Sequence, residues 1–158
     1  MGRSTLLCLA LLALPVYGAG DAPLDRATLR GVKTIGVVID KLDPQLEQEG
    51  LTAAVFQHQL EDRLQKAGIV IDPGAKEFLG LRVISIRPAG KKTPYSLCLA
   101  LGLYQPVTLS RDKDVRTATQ TWQVDTLLVA LPKGMIQSAT DATDRLAAQF
   151  AEAWKSVN

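Results

Sequence analysis

Tyr95–Leu109 is the most constraining stretch of the chain, because its side chains alternate in kind for fifteen residues. Tyr95, Leu97, Leu99, Leu101, Leu103, Val107 and Leu109 share one parity, interrupted only by Gln105. Ser96, Cys98, Ala100, Gly102, Tyr104, Pro106 and Thr108 take the other. A period of two is that of a β-strand, with one face buried and one not. Such a strand needs strand partners and a covering layer, which excludes an all-helical fold.

The partner follows at once. Arg111–Asp114 reads as a hairpin loop and Val115–Val129 as the returning strand. With Ser110 opposite Val115, Leu109 faces Arg116, Leu103 faces Trp122 and Leu101 faces Val124. Gln105 then meets Gln120. A slip of one residue would turn Thr117, Thr119 and Thr121 into the core.

The other elements are shorter. Lys33–Asp40 reads as a strand, and Lys41–Gly50 as a polar loop. Thr52 is placed to cap a helix that runs to Ala67, with Phe56, Leu60 and Leu64 in one stripe. Gly68 stops it. Ile69–Ile71 is a short strand closed by Asp72-Pro73-Gly74, and Phe78–Ile86 is a strand with Leu79, Leu81 and Val83 inward. A last helix starts near Ile136 or Ser138 and ends near Val157. Its stripe is Ala139, Thr143, Leu146, Phe150, Trp154 and Val157.

The expected fold is therefore α+β, in the order β-α-β-β-β-β-α. It is a two-layer sandwich, a mostly antiparallel sheet with two helices on one face. The second sheet face is left open. The expected surface residues there are Arg82, Tyr104, Thr117, Thr119 and Thr121, with Ser96 and Thr108 beside them, and this face is the candidate interaction surface.

The N-terminus is read as a leader. Arg3 precedes an uncharged apolar run from Leu6 to Val16, and small residues follow Tyr17. This is the layout of a cleavable signal peptide. The run is shorter than the roughly 20 residues of a membrane-spanning helix. Cleavage after Gly18 and cleavage after Gly20 both fit. Cys8 lies inside the run rather than after it, so no lipid anchor is expected. The expected organisation is a signal peptide over 1–20, a flexible lead-in over 21–31 and one domain over 32–158, exported to the periplasm or beyond. No transmembrane segment is expected after cleavage.

Charge and residue types limit the chemistry. A formal net charge of +2 offers no strong field for a nucleic acid. Past the leader only Cys98 remains, so no internal disulfide is possible. His58 is the one histidine. It and Cys98 are expected on opposite sides of the sheet, which leaves no nucleophile–base pair. One His and one Cys do not make a zinc site. Asp40, Asp43, Glu47 and Glu49 cluster in one loop without the spacing of a calcium loop. No GxGxxG, Walker or GxSxG pattern occurs. No catalytic residue, metal or cofactor is expected. Arg87, Lys91 and Lys92 make one turn basic, and Arg111, Lys113 and Arg116 the other, at opposite ends of the long strand.

Leu29–Val38, Gly50-Leu51-Thr52, Leu60–Ile69 and the closing Asp144-Arg145-Leu146 with Phe150 and Trp154 resemble a group of uncharacterised exported bacterial proteins with a single small α+β domain. The order of elements is also similar to that of small envelope accessory domains, such as the lipopolysaccharide-assembly lipoprotein that plugs an outer-membrane barrel. That family carries a lipidated cysteine, which this chain lacks. The resemblance implies a fold and brings no functional residue. The expected role is a non-catalytic accessory or binding protein of the bacterial envelope, whose partner is an envelope protein or component. The alternatives are a small secreted hydrolase using carboxylates, and a lipid-binding or lipid-transfer module using the small-residue face of Ser96–Thr108.

Overall fold

The computed structural model describes residues 20–87, 89–90 and 93–158. Residues 1–19 of the leader expected over 1–20, and Lys91-Lys92 in the first meander turn, lie outside the described residues.

Five strands form one sheet in the order β2-β1-β3-β4-β5. They are β1 (Thr34–Ile39), β2 (Val70–Ile71), β3 (Phe78–Ile86), β4 (Tyr95–Leu109) and β5 (Asp112–Ala130). The sheet is mixed: most of its pairing is antiparallel, as expected, but β1 adds parallel neighbours. β1 pairs in parallel with β2 and with β3, while β3, β4 and β5 form an antiparallel meander. The cause is connectivity. A helical crossover returns the chain in its original direction, whereas a hairpin reverses it.

The helices are α1 (Pro23–Ala27), α2 (Pro44–Gln48), α3 (Ala53–Lys66) and α4 (Met135–Lys155). α3 packs on β1 and β2, α4 packs on β4 and β5, and the two pack on each other. The long helices thus share one face. The α3 stripe of Phe56, Leu60 and Leu64 is fully buried against that face. Burial of that kind contributes about 1.5–3 kcal/mol per side chain. The Thr52 hydroxyl accepts the Val55 N–H at the start of α3. Gly68, at φ +94°, supplies the left-handed residue that ends it. On α4, Ala139, Thr143, Leu146 and Phe150 are buried. Phe150 meets the Trp122 ring edge-on, with centroids 5.1 Å apart.

Three expectations change. Lys41–Gly50 is not a plain loop. Asp43 caps α2 by accepting the Gln45 N–H at 2.9 Å, Pro44 opens the helix, and Leu42 and Leu46 plug the core. Residues 21–31 are not a loose lead-in either. They contain α1, and Leu29 is fully buried, with Val32 next to it. The C-terminal Asn158 ties this segment down by accepting from Gly31 N–H and donating to the Leu29 carbonyl.

The third change is the β4–β5 register. From Tyr95 to Leu103 it is as expected, with Leu101 opposite Val124 and Leu103 opposite Trp122. Thr121 is then left without a partner, and Tyr104 pairs with Gln120. This is a β-bulge, one extra residue on β5. Beyond it Gln105 faces Thr119 and Val107 faces Thr117, so Gln105 does not meet Gln120. The turn is Ser110-Arg111, and a second register shift follows Thr108.

Candidate open-face site

The long helices α3 and α4 pack on the first face, so among the described residues neither covers the second face of the sheet. Its composition follows from parity. β3 presents Phe78, Gly80, Arg82, Ile84 and Ile86, the positions that alternate with buried Leu79, Leu81 and Val83. β4 presents Ser96, Cys98, Ala100, Gly102 and Tyr104. β5 presents Gln123, Asp125, Leu127 and Val129, their cross-strand partners, and past the bulge Gln120.

Read across the strands, these residues make a trough. Its floor is β4, where four successive outward side chains are small. At one end the walls are apolar. Ile84 and Leu127 flank Cys98, and Ile86 and Val129 flank Ser96. These four side chains are 53%, 73%, 66% and 67% exposed, respectively from Ile84 and Leu127 to Ile86 and Val129. Exposed apolar side chains gathered on one face of a sheet mark an interaction surface more often than a scatter of single residues does.

The other end is polar and aromatic. Gly80 and Gly102 face each other across β3 and β4. Tyr104 and Gln120 lie over them. A Cβ on Gly80 would stand 3.1 Å from the Tyr104 ring, and one on Gly102 would run into the Gln120 side chain. Tyr104 stacks on Phe78 with centroids 5.0 Å apart. Its hydroxyl donates to Gln120 Oε1 at 3.3 Å, and Gln120 Nε2 donates to Gln123 Oε1. Arg82 Nε donates to Asp40 Oδ2 at 3.0 Å. That hydrogen bond first, then the charge of Asp40, raises the Arg82 pKa above its already high ordinary value. The guanidinium stays charged at every pH that the fold survives. Together these groups line a partly open cavity of about 270 Å³.

Of the five expected surface residues, Arg82 and Tyr104 are on the open face and line this cavity. Thr117 and Thr119 are not. The bulge turns them to the face of Val107 and Gln105, their partners. They remain exposed because Asp112–Thr119 is exposed throughout, part of a hairpin arm with neither face covered. Thr121 sits in the bulge, where its hydroxyl donates to Gln105. Phe78, Gln120, Gln123 and the four apolar wall residues were not among the expected five. For Phe78, Ile84, Ile86, Leu127 and Val129 the signal was present, since each has the outward parity of its own strand.

Other candidate groups have structural partners. Asp43 also accepts from Ser85 at 3.0 Å, besides capping α2. Glu49 accepts from Arg87 and from Tyr95. Arg87 is drawn over the Tyr95 ring, 4.5 Å from its centroid, rather than displayed at a basic turn. His58 is exposed on α3, and Cys98 is on the far side of the sheet. Among the described residues no three His, Cys, Asp or Glu side chains gather as metal ligands. No helix among them is long and apolar enough to cross a membrane.

The fold and the trough define an α+β sandwich with one open, amphipathic sheet face. No family model and no curated protein matches the chain. Among solved structures it is similar to a PelC dodecamer from Paraburkholderia phytofirmans, at 12% identity over 74% of this chain and 87% of that one, with TM-score 0.45. It is also similar to a minor lipoprotein from Acinetobacter baumannii, at 13% identity over 80% and 93%, with TM-score 0.43. Likenesses this distant carry no functional argument.

Proposed function

We propose that the chain is a non-catalytic accessory or binding protein of the bacterial envelope, and that its contact surface is the open sheet face. The observation that supports this is the exposure of Ile84, Ile86, Leu127 and Val129 on the face opposite α3 and α4. The cost of leaving these side chains in water is recovered when a partner covers them. The test is photo-crosslinking in an exporting bacterial host, with a probe at Leu127 and a control at Gln65 on α3. One discrete adduct at Leu127 and none at Gln65 is expected. Equal labelling at both positions sinks the reading.

A second reading has its own observation. The trough is apolar at the Ile84–Val129 end and charged at the Arg82–Asp40 end, over a floor of small side chains. That layout suits an amphiphile, with its chain along Cys98 and Ser96 and its headgroup near Arg82. Displacement of a fluorescent fatty acid from the purified protein tests it. Saturable binding, weakened by Leu127→Glu, favours the amphiphile; no binding leaves the protein partner. Asp40, Asp43 and Glu49 each serve a contact within the fold.

A further inference from the structure

Gly20 belongs to the folded domain. Its carbonyl oxygen accepts the Gln123 N–H at 3.0 Å, on the edge of β5 where, among the described residues, no other strand pairs. Its φ is +94°, in the left-handed region. A Cβ at this position would stand 2.7 Å from the Gln123 carbonyl oxygen. Glycine alone satisfies both conditions. The next residue extends the clip. Asp21 accepts from both Arg26 and the Trp122 indole N–H.

The glycine at position 20 therefore has two possible explanations. A signal peptidase requires small residues just before the cut and two positions earlier. Alanine would serve that purpose equally well. The fold requires glycine itself. A cut after Gly20 would discard a residue that the fold uses and strip the Gln123 N–H of its partner. A cut after Gly18 uses Val16 and Gly18 as the small pair and keeps Gly20. A cut after Ala19 would put bulky Tyr17 two positions earlier.

We propose that the leader is removed between Gly18 and Ala19, so that the exported chain starts at Ala19 and keeps Gly20 as a clip on the edge of β5. The step is peptide hydrolysis. Water adds to the Gly18 carbonyl carbon, the C–N bond to Ala19 breaks, Gly18 leaves as a carboxylate and Ala19 takes the proton as an α-ammonium. The inference rests on the export reading, and the experiment separates the two.

The full-length chain is expressed in an exporting bacterial host, recovered from the envelope fraction and weighed intact, with its N-terminus sequenced. The expected N-terminus is Ala19. An N-terminus at Asp21 overturns the inference but keeps export. A chain still beginning at Met1 overturns the export reading beneath it. A second variant, Gly20→Ala, tests the clip. It is expected to be cut at the same bond and to melt roughly 2–5 °C lower than the unaltered protein, given the strained φ and the close carbonyl. Identical melting of the two processed proteins overturns the retained clip, because a discarded residue cannot alter the melt.

Discussion

Thr121 donates its hydroxyl to Oε1 of Gln105 at 2.7 Å, from the one β5 position between Gln120 and Trp122 that has no cross-strand partner. The contact holds a bulge, and the bulge reverses the facing of the strand beyond it. Trp122 and Val124 point to the helices, as the alternation requires. Gln120 is turned outward onto the Gly102 floor, and Thr119 and Thr117 are turned the other way.

This register can be trapped chemically. In a Cys98→Ser background, the pair Tyr104→Cys with Gln120→Cys should oxidise to a disulfide, because directly paired positions hold their Cβ atoms about 4.5–5.5 Å apart. Gln105→Cys with Gln120→Cys should not, since the two lie on opposite faces. A gel-shift or mass assay under mild oxidation reads both. Efficient closure of the second pair alone would restore the unbulged register.

Asp21 links the N-terminal segment to the sheet. Its carboxylate accepts from Arg26 Nε and Trp122 Nε1, each at 2.8 Å. Trp122 is almost fully buried, so Asp21→Ala leaves an indole N–H without a partner. The expected cost is ~1–3 kcal/mol. Arg26→Ala removes a partly exposed ion pair with Asp21 and should cost less than Asp21→Ala, on the order of 1 kcal/mol. Thermal or urea unfolding gives both values, and the reverse ranking would contradict this account.

Phe150→Ala opens the core where α4 meets β5. The ring is fully buried and packs edge-on to Trp122. A loss of about 3–5 kcal/mol is expected. Phe150→Leu should lose markedly less. Urea midpoints with unchanged slopes would show that the loss is in the native core.

Leu127 makes the opposite case. It is 73% exposed on the open face. Leu127→Glu should leave stability within about 0.5 kcal/mol of the unaltered protein, while abolishing the adduct formed by a probe at neighbouring Val129. A large drop in stability would mean that Leu127 serves the fold rather than a partner.

Much of this molecule was legible from spacing alone. The bounds of β3 and β4, the Thr52 cap, the α3 stripe and the α4 stripe all follow from local periodicity, and local periodicity is a property of the backbone. The outward apolar positions were equally readable, for Ile84 and Ile86 share the parity of Arg82, and Leu127 and Val129 that of Gln123. Thr117 and Thr119 have the outward parity only in the unbulged register. The segments missed were those whose order comes from distant contacts. α2 is five residues long and is held by Leu42 and Leu46 in the core. Leu29 and Val32 are held by α4 and Asn158, more than a hundred residues away.

The sequence by itself determined which faces of which elements are apolar, because side-chain period and backbone geometry are set residue by residue. Only the tertiary structure decided where β1 sits, between β2 and β3, and so made the sheet mixed. It also decided the bulge. A slip that sets Thr117 and Thr119 beside Val107 is ruinous only over a core, and that hairpin arm has none. The alternation therefore exerted no force on the register there, and the Thr121–Gln105 contact was free to set it.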